Sequence, residues 1–328
     1  MALLAGAGDM NGNLLAVTGL IKDYRIPSTL PWRSRKKRVL HGVDLCLAPG
    51  ETLGLVGESG SGKSTTGRIV MGLTSASGGS VRLSGRELLG QGEAQWRAAR
   101  RQIQMVFQDP AAALNPAMDL GATLVETLRA HHRGPSAADL RDKARLLLEQ
   151  VGLNANMLSR RPSQCSGGQL QRVALARALA VEPELIVADE PVSALDVSVQ
   201  AQVLNLMRDL QAERGLGMLF IAHDLAVVRQ MSRRIAVMFQ GRIVESGAVQ
   251  DVVTNPAHPY TRQLIAAIPP RHPAQRSDDI ALPPADDDNA PSACPYLAQC
   301  PMAWPVCRES VPDLRPVASG QMVACHLA

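Results

Sequence analysis

The chain has 328 residues, 46% of them hydrophobic and 20% charged, a balance that supports one large domain with a smaller appendage and excludes a disordered chain. No stretch approaches the roughly 18 uninterrupted apolar residues of a spanning helix, and Met1 to Met10 carries neither a basic leader nor a long apolar run, so no signal peptide is expected. A formal net charge of +4 with only 3% aromatic residues argues against a nucleic-acid partner. Of the six cysteines, Cys46 and Cys165 stand alone while Cys294, Cys300, Cys307 and Cys325 crowd the tail. In a chain this long with no export signal, that pattern fits a cytosolic protein with a clustered metal site better than a secreted disulfide scaffold.

Residues 1–13 read as a flexible N-terminus. Strand-like alternation begins at Leu14 to Ile21. The basic insert Trp32 to Arg38 reads as a solvated loop or, more sharply, as a contact for acidic lipid headgroups or a partner. Val39 to Leu47 and Glu51 to Val56 predict strands on either side of Ala48-Pro49-Gly50. A Gly/Ser-rich loop, Gly57 to Gly62, precedes a helix from Lys63 to about Gly72. A strand is expected near 80–85 and a short helix from Glu93 to Arg101. Helical spacing marks 137–153, with Leu146, Leu147 and Val151 on or near one face, and again 170–180. Leu185 to Ala188 is a continuous apolar run, the pattern of a strand buried on both sides. A helix over 197–214, a strand over 218–222 and two strands within 234–245 joined at Phe239-Gln240-Gly241 follow. Residues 269–293 turn Pro-rich and acidic and read as a linker to the cysteine-rich tail, 294–328. Strands alternating with helices indicate an α/β core with a mainly parallel sheet.

Gly57-Glu58-Ser59-Gly60-Ser61-Gly62-Lys63-Ser64, followed by Thr65, has the full spacing of a phosphate loop between an apolar strand and a helix. Small residues let successive backbone N–H groups turn toward phosphate oxygens, and the new helix aims its N-terminus at the same anion. Lys63 adds a full charge at the β and γ phosphates, and the Ser64 hydroxyl can ligate Mg²⁺. The buried strand ends in Asp189-Glu190: Asp189 stands where Mg²⁺ or its water shell is held, and Glu190 can orient or deprotonate the attacking water. His223 closes the next apolar strand. A lone histidine is more often structural, but at an equivalent strand end it can reach the γ-phosphate. Gln108, after Met105-Val106-Phe107, can reach Mg²⁺ or water.

Cys165-Ser166-Gly167-Gly168-Gln169 sets a second glycine-led helix start in the same chain. This stretch resembles the signature motif of ABC transporter ATPases, and the resemblance extends over about 14–268. It implies a P-loop NTPase core of ABC type with an antiparallel β subdomain and a helical subdomain (about 109–178). It also implies two ATPase chains facing head to tail, with each ATP between the phosphate loop of one and Ser166, Gly167, Gly168 and Gln169 of the other. In that reading Gln108 is the Q-loop glutamine, Ser193 to Asp196 the D-loop and His223 the switch histidine. Tyr24 is the candidate for stacking on adenine, with Trp32 as the fallback. Cys165 departs from the usual leucine, so looser packing is expected there.

Asn255-Pro256-Ala257-His258-Pro259-Tyr260 is similar to the His-Pro-Tyr motif of oligopeptide/dipeptide importer ATPases, and so is the tail. Four thiolates at Cys294, Cys300, Cys307 and Cys325 can hold an iron–sulfur cluster or tetrahedral zinc; spacing does not separate the two. The resemblance favours a 4Fe-4S cluster with a structural role. It implies separate transmembrane permease subunits as partners, with residues 109–120 contributing to the groove for their coupling helix. A sister ATPase subunit is expected, by the form of Glu190 to Asp196, or else a second copy of this chain. An extracytoplasmic solute-binding protein would act through the permeases, and the chain would sit peripherally on the cytoplasmic face of the inner membrane. Such importers take peptides, nickel or glutathione. A soluble ABC ATPase outside transport is the different-class alternative, but no coiled-coil insertion or second cassette is visible.

Overall fold

Alternating and continuous apolar runs go to different sheets. The computed structural model describes residues 12–26, 35–131, 134–267, 293–317 and 320–328. The expected N-terminal segment up to residue 11, Trp32 and the expected linker up to residue 292 lie outside them. The strands are β1 (Leu15–Ile26), β2 (Arg35–Leu47), β3 (Thr52–Val56), β4 (Gly78–Leu83), β5 (Arg86–Glu87), β6 (Ile103–Val106), β7 (Leu185–Asp189), β8 (Gly217–Ala222), β9 (Arg234–Phe239), β10 (Arg242–Ala248), β11 (Arg315–Pro316) and β12 (Met322–Val323). The helices are α1 (Lys63–Val70), α2 (Glu93–Gln102), α3 (Leu120–His131), α4 (Ala137–Gln150), α5 (Gly167–Leu179), α6 (Val197–Arg214), α7 (Leu225–Met231), α8 (Val249–Thr254), α9 (Pro259–Ala266) and α10 (Val306–Glu309).

Strands β2-β1-β4-β5 form an antiparallel sheet in that order; the remainder form an eight-stranded sheet, β11-β12-β10-β9-β3-β8-β7-β6. Its middle, from β9 to β6, is parallel. Every residue of β3, β7 and β8 is buried, as parallel strands covered on both faces require; each Val, Leu or Ile fully withdrawn from water contributes about 1.5–3 kcal/mol. The tail joins this sheet: β12 pairs antiparallel with β10, and β11 with β12.

The register positions the site. Val56 lies beside Ala222, Asp189 beside Ile221 and Val106 beside Ala188. The chain therefore leaves β3, β6, β7 and β8 at one edge, where open parallel sheets bind ligands. Helix starts are fixed locally: Ser136 and Asp139 form a capping box on α4, and Asp196 and Asp224 cap α6 and α7.

Two expectations need correction. The basic segment does not stay a loop from Arg35 onward: Lys36, Lys37 and Arg38 continue β2 opposite Arg25, Tyr24 and Asp23. Edge pairing satisfies the backbone while the charged side chains remain in water, and Arg38 meets Asp23 at 2.8 Å. Leu146 does not share the buried face of α4. That face is Leu140, Ala144, Leu147 and Leu148, spaced as an inward stripe, whereas Leu146 is 47% exposed.

Candidate active site

The phosphate loop is held in shape by close backbone contacts. A Cβ on Gly57 would lie 2.1 Å from Met238 O, and one on Gly62 (φ +107°) 2.7 Å from Leu40 Cδ2. Gly241 N donates to Ser61 O at 2.8 Å. Helix α1 starts at Lys63 with no side-chain cap, so its first N–H groups are left for a ligand. Glu58, Ser59 and Gly60 face solvent at the mouth. Lys63 is only 4% exposed, and its Nζ donates to Gly57 O at 2.7 Å and Glu58 O at 2.8 Å. Burial pushes its pKa down, opposed by the charges of Glu190, Asp189 and Glu58. A buried ammonium resting on neutral carbonyls is an under-compensated cation, and an anion placed there would be strongly favoured.

Ser64 Oγ donates to Asp189 Oδ1 at 2.7 Å, which places two oxygens suited to Mg²⁺ side by side. Thr65 continues α1. Burial pushes the Asp189 carboxyl upward, while the Ser64 hydrogen bond and Arg68 pull it back. Glu190 has a left-handed backbone (φ +47°), an uncommon conformation outside glycine, and its N–H donates to Ile221 O at 2.9 Å. Its Oε2 lies 3.0 Å from His223 Nδ1 and 3.4 Å from Gln108 Nε2. Gln108 Nε2 is also 3.5 Å from Ser193 Oγ. Residues from four strand ends and the following loop therefore converge on one spot.

The signature residues stand apart. Ser166 caps α5: its Oγ accepts from Gln169 N at 3.4 Å, and Gln169 Oε1 accepts from Ser166 N at 3.0 Å. Gly168 leaves room for Val199, whose Cγ1 would be 2.2 Å from an added Cβ, while Ser166 and Gly167 are exposed. Cys165 packs against the core, and its Sγ donates to Arg161 O at 3.5 Å. Among the described residues no hydrogen bond joins Ser166–Gln169 to Gly57–Thr65. Asp196 is exposed and accepts from Val199 N at 3.0 Å. Tyr24, 38% exposed with Lys22 Nζ 4.7 Å from its ring centre, lies opposite Lys37 on the strand that carries Leu40 to Gly62.

In the tail, Cys294, Cys307 and Cys325 are buried and Cys300 is half-buried. Cys294 N donates to Cys307 O at 2.8 Å. Burial pushes the Cys294 thiol up to about 11, with the other three thiols adding to the rise. Among the described residues no group of three or more His, Cys, Asp or Glu side chains is arranged to hold a metal ion. The four thiols are electrostatic neighbours but do not present a ligand set for iron–sulfur or zinc.

One residue at the loop escaped the sequence reading. Tyr260 is fully buried, and its Oη accepts from Glu58 N at 2.9 Å across 202 positions of sequence. The His-Pro-Tyr motif marked this tyrosine as a family feature, but nothing in its spacing points to the phosphate loop.

Two glycine-led helix starts, one of them with a lysine, thus stand in one chain with no hydrogen bond between them among the described residues. Residues 40–193 match the ABC transporter family, and 244–307 match the oligopeptide/dipeptide transporter C-terminal region. The chain is 46% identical over 308 residues to the oligopeptide transport ATP-binding protein OppF of Escherichia coli, spanning 92% of each. It is 45% identical over 318 residues to a putative peptide import ATP-binding protein of Brucella ovis, spanning 95% of this chain and 97% of that one. Among solved structures, the dimeric ATP-binding cassette MJ0796 in a post-hydrolysis state with ADP and Pi superposes with a TM-score of 0.65 at 29% identity, covering 72% of this chain and 98% of that one. The chain belongs to the ABC transporter ATPases, in the group that carries the oligopeptide/dipeptide transporter C-terminal region.

The raised Asp189 carboxyl gives a test with a defined sign. The folded state carries a penalty for the charged form at neutral pH, and that penalty is relieved as pH falls through the raised value. Asp189→Asn keeps an acceptor for Ser64 and removes the charge. The nucleotide-free variant should melt roughly 2–4 °C higher at neutral pH, with the gap closing in acid, while Mg²⁺-dependent turnover falls at least about 100-fold. Wild-type turnover in the variant would contradict the assignment.

Proposed function

We propose that this chain binds MgATP at Gly57–Thr65 and hydrolyses it to drive peptide uptake through a membrane ABC importer. The observation that carries the reading is the buried Lys63 ammonium, partnered by carbonyls, beside the Ser64–Asp189 pair and the Glu190–His223 contact. Lys63 would exchange its carbonyl partners for β- and γ-phosphate oxygens, and the uncapped start of α1 would bind the same oxygens through backbone N–H groups. Ser64, Asp189 and Gln108 would hold Mg²⁺, which when bound neutralises charge on the phosphates. Glu190 orients and deprotonates the attacking water. His223, fixed by Glu190 through Nδ1, offers its other ring nitrogen to the transferring phosphoryl group.

Ser166–Gln169 would complete the site of a facing chain, and Asp196 would lie at the same seam. The exposure of Ser166, Gly167 and Asp196 supports this, as does the dimeric state of the MJ0796 cassette. The facing chain is a sister ATPase, with a second copy as the alternative. Tyr24 would stack on adenine. Nucleotide-driven closure would shift the pair between open and closed populations and work on separate permease subunits, whose solute arrives from an extracytoplasmic binding protein. No helix among the described residues is long and apolar enough to cross a membrane, so attachment at the cytoplasmic face of the inner membrane would come through those permeases. Peptide cargo is supported by the names of the relatives. In the tail, a cluster of 4Fe-4S type, with zinc as the alternative, would require the four thiols to draw together.

Two measurements follow. Glu190→Gln should retain MgATP binding, lose turnover by about 100-fold or more, and elute as a closed dimer with its partner in ATP; normal phosphate release from the variant sinks the role of Glu190. A cluster formed by the four thiols drawing together would show as iron and sulfide at about four per chain in anaerobically purified protein, and stoichiometric zinc or metal-free protein would overturn it.

A further inference from the structure

The phosphate loop is held by a hydrogen bond to a residue outside the motifs assigned above to hydrolysis. We infer that Tyr260 is a positioning residue for nucleotide binding, its phenol oxygen fixing the peptide between Gly57 and Glu58. That peptide is held at both ends: its N–H donates to Tyr260 Oη at 2.9 Å, and its carbonyl, Gly57 O, accepts from Lys63 Nζ at 2.7 Å. When phosphate draws Lys63 away, the tyrosine contact is the hydrogen bond left on this peptide. Half a turn of the peptide would break both contacts and shift the backbone that leads into the loop, whose later N–H groups must stay aimed at the anion.

Tyr260 is suited to this task because it cannot move. It is fully buried, with its ring 4.6 Å from Phe239 and 5.7 Å from Tyr296, centre to centre. Phe239 and Tyr296 meet edge to face at 5.3 Å, a favourable aromatic geometry. Phe239 ends β9 just before Gly241, whose N–H holds Ser61 O. Tyr296 comes from the tail and is 2% exposed. Behind Tyr260, His258 Nδ1 caps α9 by accepting Tyr260 N at 3.0 Å. The buried Glu245 carboxylate accepts from Ala257 N at 2.8 Å and His258 N at 3.0 Å. Burial pushes the phenol well above its usual range. The His-Pro-Tyr segment and the tail thus form the seat of the phosphate loop.

This inference rests on the ATP-binding reading, and the test separates the two. Tyr260→Phe keeps the ring and removes only the oxygen. Tyr296→Phe is the control, removing a hydroxyl of the same cluster that bonds Gln263 instead. Full-length wild type and both variants are titrated with MgATP by displacement of a fluorescent ATP analogue, melted, and assayed for turnover. Tyr260→Phe should bind MgATP about tenfold more weakly, with KM raised in parallel, kcat within about threefold, and a melting temperature like that of Tyr296→Phe, which binds like wild type. Affinity within twofold of wild type in Tyr260→Phe, or an equal loss in both variants, overturns the inference. Wild type that fails to bind MgATP overturns the ATP-binding reading instead. Hydrogen exchange on the nucleotide-free wild type needs no variant: the Glu58 amide should be protected while those of Ser59 and Gly60 exchange fast, and fast exchange at Glu58 overturns the inference.

Discussion

A buried ammonium whose hydrogen bonds all go to neutral oxygens is the interaction on which this molecule turns. Lys63 is almost wholly withdrawn from water and rests on two carbonyls of its own loop. Carbonyl dipoles, together with the charges of Glu190, Asp189 and Glu58, make such a buried cation tolerable. Much of the surrounding fold keeps that arrangement from collapsing. Gly57 and Gly62 leave space that Met238 and Leu40 fill, the turn at Gly241 holds Ser61, and Tyr260 holds Glu58.

The second constraint is the parallel register. Because β3, β6, β7 and β8 end at one edge, residues as distant as Gln108, Glu190 and His223 come within hydrogen-bonding range without any of them adjoining the others in sequence. The left-handed backbone at Glu190 is the local strain that accompanies this placement. Ser166 and Gly167 present a capped, exposed helix start that is not hydrogen-bonded to the phosphate loop among the described residues, and the proposed function assigns them to the site of a facing chain.

Much of this was legible in the sequence, for identifiable reasons. Continuous apolar runs at Leu185 and Met218 mark strands covered on both faces, and Asp189, Glu190 and His223 follow directly from where those runs stop. The helix over Val197–Arg214 is bounded by its Asp196 cap and by Gly215 (φ +61°), both local signals. What escaped depends on long-range pairing. Arg35 to Arg38 read as loop because charge masks strand character on an edge, and the two tail strands are too short to show a period. Tyr260 could not be placed at the phosphate loop, because its contact crosses 202 positions and arises only from the packing of β9, α9 and the tail. The four tail cysteines announced a shared site by count, but a ligand set depends on directions that spacing does not fix.

Lys63, hydrogen-bonded only to neutral oxygens, keeps its ammonium ready for a polyphosphate. The most direct measurement is calorimetric titration of the wild type and of Lys63→Ala with the mono-, di- and triphosphates of adenosine in Mg²⁺. The di- and triphosphates should bind, the monophosphate should not, and Lys63→Ala should weaken the triphosphate at least about 30-fold, roughly 2 kcal/mol. Equal binding of all three nucleotides, or wild-type affinity in Lys63→Ala, would contradict this role for Lys63.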